Sequence, residues 1–309
     1  MIKIKQALPY LMTVLLIGLM TECSALLHNP EIIFPEMAAI AIGSLCAPKF
    51  AWNTSKFKIL FFICVCAVTG IGIVKFLSVP FALQLCTAFL TAQMLFIFSK
   101  TSFAPMISAI VLPVMLQTDS VIYLISALSL TVLVLLLRTI MEKKNILPAV
   151  HYQPAELPGK TMLFQAFLRT FAGCLLILPA VLLNCKFAAA PPLLVAFTEF
   201  CKTGSPAERK KPNILLFMSF CAVTGSLFRY LFSILLPLPI CIPAMLSISL
   251  VLYAMKKYQL YLPPAGAITI LAYLIPENTL ISYPLQIFTG TAVLLFLSDF
   301  CRQKKKVPV

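Results

Sequence analysis

The chain has 309 residues, 61% of them hydrophobic and only 11% charged, with a mean hydropathy of +1.00. Charged residues make up about 25% of a soluble domain, so that class is excluded. The net charge of +14 does not point to nucleic acid, because Lys and Arg sit in short loops between apolar runs, where they orient a membrane protein and meet anionic head groups.

Met1–Gln6 carries Lys3 and Lys5 and leads into apolar Leu8–Leu27, read as an uncleaved first span. A short Pro-started segment, Pro35–Cys46, precedes the basic loop Lys49–Lys58 and the spans Ile59–Phe76 and Pro80–Ser99. A second short segment, Ala104–Leu116, and the span Val121–Leu137 follow. The connector Asn145–Lys160 holds three prolines, as a linker should. The order then recurs: Met162–Leu183, Pro191–Cys201, the basic loop Lys202–Lys211, Asn213–Leu236, Pro239–Met255, Pro263–Ile275 and Leu280–Leu297, with a basic tail at Lys304–Lys306.

The recurrence is also literal. Residues 46–70 and 201–225 match without gaps at ten of 25 positions, including Lys56 with Lys211 and Cys66–Gly70 with Cys221–Gly225. The expected fold class is an all-α, polytopic membrane helical bundle of two repeats with about six segments each, four full spans and two short ones. Its divisions are a first repeat (1–145), a linker (146–160), a second repeat (161–301) and a basic cytoplasmic tail (302–309). If every segment crosses, all but Lys75, Lys186, Arg229 and Arg169 of the 24 Lys and Arg fall on one side or its borders. The positive-inside rule makes that side cytoplasmic, with both termini on it and the repeats in parallel orientation. A bacterial inner membrane is the expected location.

The four short segments are the most informative feature. Half-length helices in matching places of two repeats mark a transporter's site, because their exposed backbone ends are tolerated only beside a cavity; close helix packing through small residues is the bland alternative. Pro263, Pro264, Ala265, Gly266 and Ala267, with Pro105 and Ser108, are expected to present backbone donors to a solute. Arg229 and Arg169 are expected to attract an anion, and Thr69, Thr224 and Gly225 to shape close helix contacts. Glu36 and Glu199 are candidates for proton coupling. Charges within spans usually face the bundle, although Lys75 is read as snorkelling, and Arg169 and Glu199 also admit a purely structural pairing with each other. Eleven cysteines, without CxxC, and two isolated histidines, His28 and His151, make no metal or redox framework, so no metal and no cofactor is expected. With no HExxH and no Ser–His pairing at workable spacing, no enzyme is expected either.

Leu262-Pro263-Pro264-Ala265-Gly266-Ala267, with Ser205-Pro206, Lys210-Lys211-Pro212 and the helix through Thr224-Gly225, resembles the HPP transmembrane family over about residues 187–298. The first half reaches the resemblance only through the duplication, its motif reduced to Phe103–Ser108. Leu262 stands where that family has its histidine. The resemblance implies a membrane transporter, since plant members are associated with nitrite transport in plastids. A looser likeness runs to fusaric-acid-resistance and aromatic-acid efflux proteins, whose soluble regions are not seen here. The expected function is therefore a transporter or channel for a small anion, nitrite- or nitrate-like or a small carboxylate. The expected partners are membrane lipids and that solute but no nucleic acid, with a homo-oligomer left open. A non-transporting scaffold is the main competing class.

Overall fold

The computed structural model describes residues 2–154 and 159–302. The tail Lys304–Lys306 and residues 155–158 of the connector lie outside the described residues. Among those described, all regular structure is helical. Twelve helices follow in order: α1 (Ile2–Leu26), α2 (Glu36–Ala41), α3 (Lys56–Phe76), α4 (Phe81–Phe98), α5 (Met106–Leu116), α6 (Val121–Lys143), α7 (Lys160–Leu182), α8 (Pro191–Phe200), α9 (Lys211–Arg229), α10 (Cys241–Tyr258), α11 (Pro263–Leu271) and α12 (Tyr283–Cys301).

Local chemistry sets many of these limits. The hydroxyls of Ser55 and Ser120 accept from the N–H groups of Lys58 and Ile122 and so start α3 and α6, satisfying donors that a helix leaves unpaired at its N-terminus. Gln117 and Gln259, with φ of 55° and 51°, take the left-handed turn that ends α5 and α10. Helix α6 runs past the expected end at Leu137, because Arg138 and Lys56 both pair with Glu142 and hold the last turns. α2 continues as a wider turn over Ile42–Cys46, closed by Ala47 N–H on the Ile42 carbonyl, and α9 does the same over Tyr230–Leu235, closed by Leu236 N–H on Leu231. Such widened turns are rare and cluster at functional places.

Seven helices among the described residues are long and apolar enough to cross a membrane: α1, α3, α4, α6, α7, α9 with its widened turn, and α12. α10 is not in that set, and its last turn carries Lys256 and Lys257. The long helices turn Phe76, Phe171, Leu182 and Phe300 outward, while Glu36, Gln93, Thr131 and Arg138 are buried. An apolar outside around a polar-spotted inside is what hydrocarbon as solvent demands. The four short helices α2, α5, α8 and α11 form the buried centre, walled by the long ones.

Contacts in the first six helices recur in the last six. Lys56 pairs with Glu142 as Lys211 pairs with Asp299. Tyr123 donates to the Ala109 carbonyl and packs edge-on to Phe34 at 5.9 Å; Tyr283 donates to the Ile268 carbonyl and packs edge-on to Phe187 at 6.0 Å. A side chain added at Gly70 would run into the Ile110 carbonyl, and one at Gly225 into the Thr269 carbonyl. Between the halves the contacts are exchanged: α1 lies on α10 with Gly18 against Met245, and α7 lies on α4 with Gly173 against Phe89.

The connector is fastened to the first half. Arg138 donates to the Pro148 carbonyl, Asn53 exchanges two hydrogen bonds with the Gln153 backbone, and Lys58 reaches Tyr152, whose hydroxyl donates to Lys100.

Candidate functional site

The short helices meet as a ring. Gly266 of α11 lies against Ala38 and Ile42 at α2. α11 also packs on α8, and α8 on α5. The Ser108 hydroxyl of α5 closes the ring by donating to Glu36 Oε1 at the first turn of α2.

Each short helix has a cation at its C-terminal end. Arg138 donates to Ser44 O just beyond α2, and Lys186 reaches Met115 O in α5 at 3.1 Å. Arg302 donates to Phe200 O in α8 at 3.2 Å. Arg229 donates to Ala272 O and Ile275 O beyond α11 at 2.7 and 2.6 Å. Cations there satisfy orphan carbonyls and complement the negative end of the helix dipole. Capping of this kind leaves the positive ends of α2 and α5 facing the centre, where Glu36 and Ser108 meet. Burial draws the ammonium of Lys186, which lies in the link before α8, below the usual lysine range.

This placement corrects two expectations. Arg229 is at the opposite end of α11 from Pro263–Ala267, so the structure does not bring them together as one solute site. Nor do the proline-led ends present rows of free donors. Pro263 and Pro264 have no N–H, and the Ala265 N–H goes to Leu262 O. After Pro105, the N–H groups of Ile107 and Ser108 bond Ala104 O and Pro105 O. Gly266 and Ala267 serve packing, both being buried at the helix contact. The positive feature at the centre is the field of the helix ends, with the Ser108 hydroxyl as a side-chain donor.

Glu36 is 1% exposed, and its second oxygen, Oε2, is buried without a hydrogen-bond partner. No cation pairs with it among the described residues. An unpaired buried carboxylate oxygen is costly, which makes this the most exacting group in the core.

Arg169 and Glu199 do not pair with each other; each has its own partner. Arg169 Nε donates to Gln93 Oε1 at 2.9 Å, and Gln93 Nε2 donates to Thr198 Oγ1 at 2.7 Å, which ties α7, α4 and α8 together. Glu199 Oε1 accepts from Trp52 Nε1 at 3.2 Å. Lys202 reaches Ser102 O at 3.3 Å, and burial lowers its pKa against the opposing influence of Glu199. Thr69 bonds back to Val65 O within α3, whereas Thr224 and Gly225 are buried beside α11. Gln93, Thr198, Trp52, Arg138 and Lys186 belong to this network without having been expected site residues. Trp52, the single tryptophan, Arg138, a charge closing an apolar run, Gln93, an amide inside one, and Lys186, a cation off the basic side, each carried a visible signal; Thr198 carried none.

Among the described residues, clefts open on the end that carries the basic loops. One of about 610 Å³ is lined by Arg209, Lys210, Gln259 and Tyr261, next to the start of α11. A second lies between α9 and α10, and a third, of about 370 Å³, beside Lys49, Arg138 and His151. No metal-type cluster of His, Cys, Asp or Glu occurs among the described residues.

With the fold and this site in place, the class is that of a multi-pass helical membrane protein. No family model, curated protein or solved structure matches the chain.

Proposed function

We propose that the chain is a membrane transporter for a small anion, nitrite- or nitrate-like or a small carboxylate, carried together with a proton at Glu36. The observation that carries this reading is the buried Glu36 with its orphan Oε2, held by Ser108 where α2 and α5 begin. The positive helix ends there favour one negative charge. Ionised Glu36 is such a charge, and a bound anion would be a second one. The two exclude each other electrostatically, so anion binding and protonation of Glu36 favour one another, which is the linkage that symport requires.

The recurring and exchanged contacts support two repeats related by a two-fold axis. Trp52 on Glu199 and Lys202 on Ser102 O bring the two basic loops to one end, which supports the parallel orientation. The charge rule assigns that end, with both termini, to the cytoplasm of a bacterial-type inner membrane. The HPP-like motif at Leu262–Ala267 fits the same function, although its residues pack and do not expose donors. The scaffold reading draws on the structural partners that Arg169 and Arg229 already have.

Flux in proteoliposomes with nitrite, nitrate, formate and acetate under an imposed pH gradient tests the proposal. Uptake of at least one of them should accelerate when the external side is acidified, and Glu36→Gln should abolish that acceleration. Absence of flux for all four overturns transport of a small anion; flux indifferent to pH and to Glu36→Gln overturns the coupling.

A further inference from the structure

The groove of about 630 Å³ between α9 and α10 is within the range of about 300–1,000 Å³ usual for small-molecule sites. Its residues are ordered along the helices. On α9, Asn213 lies one turn in, with Leu216, Phe217 and Phe220 deeper; on the antiparallel α10, Lys257 and Tyr258 lie at the same end, with Tyr253 and Leu250 deeper. Lys210, immediately before α9, completes the polar mouth. From mouth to floor the groove therefore runs about seven residues, roughly 10 Å at 1.5 Å per residue. Cations and amides line one end and hydrocarbon the other.

The mouth has no acid in its lining, and Lys210 and Lys257 make no ion pair among the described residues. The nearest acid in sequence, Glu208, is engaged by the Gly204 N–H and Arg302. Lys257 Nζ lies 5.6 Å from the centre of the Tyr258 ring, which holds it at the rim. Leu216, Tyr253 and Tyr258 are exposed, on the outer surface that the fold turns to lipid. Tyrosines at such a level occupy the head-group zone.

We infer that this groove binds one anionic phospholipid of the leaflet on the basic-loop side. Its phosphate lies between Lys210 and Lys257, and an acyl chain lies along Leu216, Phe220 and Leu250. A zwitterionic lipid offers no net charge to the two lysines, and a free phosphate ion would leave the apolar floor unused. The inference does not depend on any transported solute.

The test is native mass spectrometry of the full chain after incubation with vesicles of equal phosphatidylglycerol and phosphatidylethanolamine. Wild type should retain phosphatidylglycerol preferentially. Lys210→Gln and Lys257→Gln should each lower that retention about five-fold, the scale expected per lysine at a lipid surface. Leu250→Trp should lower it with both lysines intact by filling the floor. Lys143→Gln/Lys144→Gln, on the same end but away from the groove, should leave it unchanged. A thermal unfolding midpoint by circular dichroism equal to wild type certifies that each variant is folded. Equal retention in the Lys210→Gln/Lys257→Gln variant, equal loss in the Lys143/Lys144 control, or equal retention of the two lipids overturns the inference. So does displacement of phosphatidylglycerol by inorganic phosphate alone.

Discussion

Trp52 Nε1 donates to Glu199 Oε1 at 3.2 Å, joining the first basic loop to the second half of the chain. The indole is 4% exposed and stands against Gly43 and, edge-on at 5.2 Å, against Phe103. One loop residue thereby fills the space between α2, α5 and α8 at the basic end.

Because Trp52 is the only tryptophan, its fluorescence reads this junction without labelling. Emission should be blue-shifted and poorly quenched by acrylamide in the wild type. Glu199→Ala should raise quenching by freeing the ring, and Glu199→Gln, which keeps an acceptor, should restore most of the protection. Quenching already high in the wild type would refute the buried placement.

Arg229 is expected to behave as a helix cap. Arg229→Leu leaves Ala272 O and Ile275 O without their donor; hydrogen bonds to charged groups are worth about 1.5–3 kcal/mol each, so the unfolding midpoint in detergent should fall. Arg229→Lys should recover part of the loss. If instead solute affinity collapses while stability is unchanged, Arg229 belongs to a binding site and not to α11.

Gly70→Ala and Gly225→Ala should each destabilise by about 1–3 kcal/mol, the usual cost of overpacking, since the added methyl meets a backbone carbonyl of α5 or α11 that cannot swing aside. Gly72→Ala, with open space around it, is the control and should be neutral or slightly stabilising, Ala being the better helix former. Thermal unfolding followed by circular dichroism separates the three.

The ion pairs Lys56–Glu142 and Lys211–Asp299 occupy corresponding places but differ in surroundings. Side-chain exposure is 34% and 42% at Lys211 and Asp299, against 29% and 13% at Lys56 and Glu142, where Arg138 also engages the carboxylate. Double-mutant cycles should give about 0.2–1 kcal/mol at the exposed pair and a larger coupling at the networked one. The reverse order would contradict this reading of the two environments.

The segment order was legible in the residues because hydrocarbon imposes long apolar runs, and the short helices announced themselves by their prolines and small residues. The partners of the charges were not. Arg229 and Arg169 read as solute ligands because sequence shows a charge in an apolar run but not the backbone carbonyl or amide it reaches across the bundle. Glu36 was visible as an anomaly, whereas its link to Ser108, 72 positions later, depends on how α2 and α5 meet. Lys186 looked like an outward loop residue and turned out to hold the end of a helix in the other half.

That bond has a mechanical corollary. Of the four terminal clamps on the short helices, only Lys186 to Met115 O bridges the halves, and the Trp52–Glu199 bond bridges them at the other end. Lys202 on Ser102 O joins them at that same end, and Arg169 on Gln93 and Gln93 on Thr198 join them inside the bundle. The halves are thus stitched at both ends and through the core, so the loss of any single tie leaves the others to keep them in register.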